Sequence, residues 1–117
     1  MARIKIKDLL LRTYIGFNPD ELVNKQDVVI NIEIETEISK KAMEADEPVD
    51  ILDYKTITKK VIKLVQEGRF KLLEVLTQKI LDLIMKDEKV QWARVEVDKP
   101  HALRFAESVS LSMECKR

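Results

Sequence analysis

The sequence predicts an α+β domain in the order β-β-α-α-β-β, with two helices on one face of a four-stranded antiparallel sheet. Three observations carry this. Four stretches alternate apolar and polar residues with a period of two, the pattern of strands with one buried and one wet face. Two longer stretches between them repeat their apolar residues at spacings of three and four, as amphipathic helices do. The strands come as one consecutive pair before the helices and one after, unlike the β-α-β alternation of a parallel sheet. A chain of 117 residues suits one such domain, with a small core.

Residues 3–13 open with Ile4 and Ile6 alternating with Lys5 and Lys7, which predicts the first strand. Tyr14-Ile15-Gly16-Phe17-Asn18-Pro19-Asp20 then reads as a loop, in which Gly16 permits a positive φ and Pro19 suits the start of a short helical turn. Residues 27–38 alternate most clearly. Val28, Ile30, Ile32, Ile34, Thr36 and Ile38 lie on one face; Asn31, Glu33, Glu35 and Glu37 lie on the other. The two strands are expected to pair antiparallel across a loop longer than a simple hairpin needs.

Residues 39–45 predict a short helix capped by Ser39 and ended by Asp46-Glu47-Pro48. Asp53 is the expected N-cap of a second helix, Tyr54–Glu67, with Gly68 as its stop. Its apolar stripe is Tyr54, Ile57, Val61, Leu64 and Val65, opposite Lys55, Lys59 and Lys63. Phe70-Lys71-Leu72-Leu73-Glu74 opens the next helix, which runs to about Lys86. On a wheel of 3.6 residues per turn, Leu72, Leu73, Leu76, Ile80, Leu83 and Ile84 share one stripe. Glu74 falls on the opposite side, in line with Leu81 and Met85. Residues 90–98 and 107–115 give the last two strands, interrupted by Lys99-Pro100-His101. Ala93, Val95 and Val97 face one way in the third strand; Val109, Leu111, Met113 and Cys115 share a face of the fourth. Such a sheet has two open edges, which predicts pairing with other copies of the chain.

Composition narrows the function. The 21 basic and 21 acidic residues cancel. No block of one sign stands out, which argues against a duplex nucleic-acid binder. No stretch reads as a signal peptide, a transit peptide or a membrane span. Cys115 is the only cysteine, so no intrachain disulfide forms and a cytoplasmic location is expected. His101 is the only histidine, which argues against a His/Cys zinc site. With two Gly and three Pro there is no linker, and no glycine-rich phosphate loop is present.

Four polar residues lie where chain elements meet: Glu21 in the first loop, Tyr54 and Glu74 at helix starts, and Lys99 directly before Pro100. A carboxylate in a first helical turn sits beside backbone N–H groups that lack helical partners. It can accept two parallel hydrogen bonds from a planar donor pair, while the free N–H groups donate to a neighbouring carbonyl. Glu74 therefore suits a flat heterocycle with an amidine-like edge. Acids, a phenol and an amine together can also move protons. The plain alternatives are that Glu74 only complements its helix dipole, that Glu21 and Lys99 are solvated charges, that Tyr54 starts a helix as a core residue, and that His101 is a loop residue.

The segments Ile15-Gly16 through Glu21 to Gln26, Leu52-Asp53-Tyr54, Leu72-Leu73-Glu74 and Val97-Asp98-Lys99 resemble the dihydroneopterin aldolase family, in the same order and at compatible spacings over essentially the whole chain. The runs Leu11-Arg12-Thr13-Tyr14-Ile15-Gly16 and Asp98-Lys99-Pro100-His101-Ala102-Leu103-Arg104-Phe105-Ala106-Glu107-Ser108-Val109-Ser110 look closer still to the bacterial dihydroneopterin triphosphate 2′-epimerases. Many aldolases carry a histidine before the early glycine and a Pro-Gly-containing stretch after the lysine; this sequence has Ile15 and Leu103-Arg104-Phe105 there. The resemblance implies the tunnelling fold, with tetrameric rings stacked as an octamer and pterin sites between subunits. It implies that Glu74, with backbone around Leu72 and Leu73, grips the 2-amino-4-oxo edge of a pterin. Tyr54 would arrive from a neighbouring subunit, while Glu21 and Lys99 would handle the side-chain hydroxyls and the proton at ring nitrogen N5. The implied chemistry needs no metal and no cofactor. Arg104 and His101 follow Lys99 closely and, with Arg12 and Lys25, are candidates for holding a triphosphate. Three alternatives to epimerisation stand: aldol cleavage, an oligomeric pterin-binding module without chemistry, and a zinc-dependent enzyme of the same fold, which the lack of metal ligands disfavours.

Overall fold

Side-chain parity decides which strand lies at the centre. In β2 (Gln26–Thr36), Val28, Ile30, Ile32 and Ile34 are at most 1% exposed, while Asn31, Glu33 and Glu35 face outward. A computed structural model describing residues 1–117 places β2 between β1 (Ala2–Ile15) and β4 (Val90–Pro100), antiparallel to both. Ile30 pairs with Val97, Ile32 with Val95 and Ile34 with Ala93, so the buried faces of neighbouring strands coincide. Beyond β2, Ile38 is 47% exposed and does not continue the strand's buried face.

The apolar parity of β1 switches from even positions, Ile4 and Ile6, to odd ones, Leu9, Leu11 and Ile15. A bulge makes the switch: the register jumps from Ile6↔Ile32 to Leu9↔Ile30, with Asp8 at φ 53°. The Asp8 N–H donates to Asn31 Oδ1 at 2.9 Å and the Asn31 amide donates back to Asp8 Oδ1 at 3.3 Å. Without the extra residue, half of β1 would turn its apolar side chains to water.

The sheet has five strands where the periodicity predicts four, and the added pairing is parallel. β3 (Arg69–Phe70) lies beside the end of β1, Tyr14 opposite Arg69 and Ile15 opposite Phe70, giving the order β3-β1-β2-β4-β5, where β5 spans Ser108–Lys116. Tyr14 and Ile15 are therefore strand residues, not loop. Two residues carry no readable period. What holds them is long-range: Thr13 Oγ1 donates to the Gly68 carbonyl at 3.3 Å, the Gly16 N–H donates to the Phe70 carbonyl at 2.9 Å, and Phe70 is buried.

Local capping sets the helices. In α2 (Lys40–Ala45), Ser39 accepts the Ala42 N–H, and Asp46 ends the helix in the left-handed region. In α3 (Tyr54–Glu67), Asp53 accepts both the N–H and the hydroxyl of Thr56, at 3.1 and 2.7 Å. Gly68 ends α3 with an extended backbone, φ −94°, not as a left-handed cap. In α4 (Leu73–Met85) the buried residues are Leu76, Thr77, Ile80, Leu81 and Ile84. This stripe is rotated from the expected one. Leu72 is the N-cap residue and 45% exposed, while Leu81, expected in line with Glu74 away from the core, is 2% exposed. Leu81 therefore gives no support for a contact with another subunit.

Helices α3 and α4 pack against each other and on one face of the sheet, α3 over β1 and α4 over β4 and β5 (Ser108–Lys116). Val109, Leu111 and Met113 are half-buried beneath α4, while Cys115 is exposed at the end of the strand. β4 also runs further than expected. Lys99 pairs with Val109 and Pro100 with Ser108, so the chain turns only at His101, φ 60°. The molecule measures 54 × 26 × 23 Å. β5 has a neighbour on one side only, and β1 has one on its other side only at Tyr14 and Ile15. No helix is long and apolar enough to cross a membrane.

Candidate active site

The turn from β1 into α1 (Pro19–Val23) builds one side of the site. Asn18-Pro19-Asp20-Glu21 has the spacing of a capping box, and the Asn18 N–H donates to Glu21 Oε1 at 3.1 Å. Gly16 allows the carboxylate to fold back. Its φ is +117°, and a Cβ there would occupy the space of the Glu21 carboxyl group. The second oxygen, Oε2, accepts from Lys99 Nζ and from the Gln26 carboxamide, the latter at 3.4 Å. Glu21 and Lys99 stand 78 residues apart in sequence, and their side chains are 15% and 16% exposed. The Lys99 hydrogen bond, with support from the Asn18 N–H and Gln26, holds the Glu21 carboxyl below its usual pKa despite partial burial. The result is a sheltered ammonium–carboxylate pair, able to hold and pass a proton.

The first turn of α4 forms another part. A cavity of about 440 Å³ is lined by Glu21 and Lys99, by Leu72, Leu73 and Glu74, and by Val109 and Leu111 of β5. Glu74 lies in the first turn beside N–H groups that have no helical acceptor. Five of the expected residues thus come together in one chain: Glu21, Leu72, Leu73, Glu74 and Lys99. The cavity also takes in Gly16, Phe17, Asn18, Lys71 and Ser110, which were not singled out as site residues. Of these, the capping-box spacing around Asn18 was readable in the sequence; the others depend on how the chain folds back.

The remaining expected residues lie elsewhere. Tyr54 is 50% exposed and lines a separate hollow of about 590 Å³ with Pro48, Ile51, Leu52 and Lys89. Arg12 faces out, donating to Asp27 at 3.1 Å and to the Lys25 carbonyl at 2.9 Å. Lys25 lies 5.7 Å from the centre of the Tyr14 ring. His101 and Arg104 are exposed on the β4–β5 connection, the Arg104 guanidinium 5.2 Å from the ring of Phe105; only Ala102 of that connection lines the cavity. No three His, Cys, Asp or Glu side chains are grouped to hold a metal ion.

Comparison with known proteins gives the family. Residues 4–114 match the family model described as FolB, dihydroneopterin aldolase. The chain belongs to the dihydroneopterin aldolase family. Among members of this family, it is 55% identical to the dihydroneopterin triphosphate 2′-epimerase of Pseudomonas aeruginosa over 97% of this chain and 91% of that protein. It is 46% identical to the enzyme of the same name from Escherichia coli, over 99% of this chain and 96% of that one. The structure of Escherichia coli dihydroneopterin aldolase in complex with neopterin superposes with a TM-score of 0.90 at 29% identity, covering 98% and 99% of the two chains. The fold expected from the resemblance, that of the dihydroneopterin aldolases, is the one observed.

Proposed function

We propose that this member of the dihydroneopterin aldolase family epimerises 7,8-dihydroneopterin triphosphate at C2′, giving dihydromonapterin triphosphate. One observation carries the chemistry: the sheltered Glu21–Lys99 pair lines a single cavity with Glu74 and the open end of α4. Glu74 accepts two hydrogen bonds from the amino-pyrimidine edge of the pterin, and backbone groups around Leu72 and Leu73 complete the grip. Lys99, paired with Glu21, passes a proton to N5, which makes the ring an electron sink. The C2′ hydroxyl gives up its proton to the Glu21–Lys99 pair and becomes a carbonyl. The C1′–C2′ bond breaks, and its electron pair moves through C1′ and C6 to N5. An enamine and an aldehyde result. If the aldehyde turns over and C1′ attacks its other face, the same steps in reverse invert C2′. Lys99 acts through protons, not through a Schiff base.

The phosphorylated substrate and the epimerase outcome are supported by the 55% and 46% identities to proteins named for that activity, against 29% to an aldolase. Aldol cleavage of dihydroneopterin to 6-hydroxymethyl-dihydropterin shares the same intermediate and is the second reading. The further proposals are one pterin-binding domain over residues 1–117, a cytoplasmic setting, and an octamer of two stacked rings in which Tyr54 of one subunit joins the cavity of another. Open sheet edges and exposed apolar side chains beside the cavity, such as Phe17 and Leu72, support assembly. Arg104 and His101 are assigned to the triphosphate, where paired guanidinium donors match phosphate oxygens.

The test is the product ratio. The purified protein is incubated separately with dihydroneopterin and its triphosphate, and the products are resolved by chromatography. The epimerised triphosphate is expected to form faster than 6-hydroxymethyl-dihydropterin; the opposite order makes the protein an aldolase. Arg104→Ala is expected to weaken binding of the triphosphate while leaving the unphosphorylated compound unaffected.

A further inference from the structure

Gln26 begins β2, opposite Thr13 of β1, and its side chain leaves the ladder to reach the loop that carries Glu21. The carboxamide nitrogen donates twice, to Glu21 Oε2 at 3.4 Å and to the Ile15 carbonyl at 3.5 Å. An amide NH₂ has two N–H donors, and both are used here on groups that flank the reacting pair. One is the carboxylate oxygen that also takes Lys99; the other is the last carbonyl of β1, next to Gly16. The Asn18 N–H holds the other carboxylate oxygen, and Gly16, with no Cβ, leaves the space that the carboxyl group fills.

A glutamate has three side-chain torsions, and an ammonium is a compact donor that sets no plane for its partner. Lys99 alone would leave the carboxylate free to turn about its own axis and share the ammonium between two oxygens. The Gln26 and Asn18 donors reach it from opposite oxygens and fix that plane. We propose that Gln26 is a positioning residue: by tying Glu21 Oε2 to the end of β1 it fixes where the Lys99 ammonium sits, and so where its remaining N–H bonds point into the cavity. The role in turnover rests on the proton relay proposed above; the clamp itself rests only on the geometry. Besides Lys99 of β4, the charged groups that share the cavity with Glu21 are Lys71 and Glu74, around the start of α4.

Two substitutions separate positioning from plain structural support. Gln26→Met keeps the length and removes both donors. Gln26→Glu keeps the shape but sets a second carboxylate against Glu21, and like charges at hydrogen-bond distance raise the pKa of one of the pair. With the full-length protein, kcat for the triphosphate is expected to fall about tenfold in Gln26→Met, with KM and thermal midpoint little changed, as for loss of a hydrogen bond to a charged group acting only on the reacting pair. The acidic limb of the kcat/KM profile should move to higher pH in Gln26→Met and further in Gln26→Glu. A carbon-13 NMR titration of the Glu21 carboxyl should show the same order of midpoints without any substrate. If wild-type protein turns over neither compound yet the midpoints move in this order, the clamp stands and the functional reading fails. If the midpoints of folded variants do not move, or if kcat and the pH profile stay at wild-type values in an active enzyme, the inference is overturned. Should Gln26→Met fail to fold, Gln26→Glu carries the same test.

Discussion

The hollow around Tyr54 and the cavity around Lys99 are opposites. In the cavity, Glu21 and Lys99 are about 15% exposed and each is the other's partner. Glu21 further accepts from Asn18 and Gln26, so its position is fixed by groups from the turn before α1, from β2 and from β4. Tyr54 is half exposed, it opens α3, and the larger hollow beside it holds neither Glu21, Glu74 nor Lys99. One region is assembled within a single chain. The other presents a phenol to the outside, beside a hollow lined by Asp50, Asp53, Lys55 and Lys89. The proposed assembly would join the two, with Tyr54 of one copy beside the cavity of another.

The largest expected effect comes from breaking the assembled region. Lys99→Ala should lower kcat by about 10²–10⁴-fold, the usual contribution of a positioned acid or base, while pterin affinity changes little. Stopped-flow turnover and equilibrium binding of neopterin measure the two separately. A borohydride-trapped adduct on Lys99 would point instead to covalent chemistry.

The comparison itself is sharpened by mixing. Tyr54→Phe and Lys99→Ala proteins, each impaired alone, should regain activity when unfolded together and refolded, because mixed assemblies contain sites with an intact Tyr54 facing an intact Lys99. No regain of activity in assemblies shown by mass spectrometry to be mixed would mean that Tyr54 does not complete a neighbour's cavity.

A smaller loss is expected at the start of α4. Glu74→Gln keeps the shape but turns one acceptor into a donor facing a donor of the ligand. The unpaired groups cost about 1–3 kcal/mol, a weakening of roughly 5- to 150-fold in neopterin affinity by calorimetry.

The smallest effect concerns acid. The pKa of Glu21 is lowered in the fold, so its contribution to stability is present above its ordinary value of 4.5 and fades as pH falls through the lower folded value. Wild-type protein should lose more stability than Glu21→Gln on acidification below that value, measured by thermal unfolding at a series of pH values. Equal losses would mean that the pair contributes nothing to the fold.

Much of this arrangement is legible in the sequence, and the limits are instructive. The caps Ser39 and Asp53 read correctly because a cap is settled locally, by its own side chain accepting the backbone N–H three residues on. The period of β2 read correctly because burial repeats every second residue. The stripe of α4 was placed with Leu72 inside and Leu81 outside, because the wheel gives the period of a helix but not its start. Leu72 stands at the N-cap, outside the helical turn, and the stripe that meets the sheet is centred on Leu76, Ile80 and Ile84. β3 was invisible because two residues have no period, and its existence depends on the end of β1 lying beside it.

What the sequence determined by itself is therefore what repeats or closes within a few residues: strand and helix periods, caps, the carboxylate at the start of α4, and the order of elements. The tertiary structure alone decided which distant side chains meet. Glu21 reaches Lys99 because the register of β1, β2 and β4 sets their ends level and Gly16, at φ +117°, lets the chain fold the carboxylate back beneath the loop. Tyr54 is left outside by the same geometry, since α3 packs over β1 while the cavity opens between α1, the start of α4 and β5. Periodicity is a local property of backbone geometry, whereas convergence across 78 residues is a property of sheet register, which no local window contains.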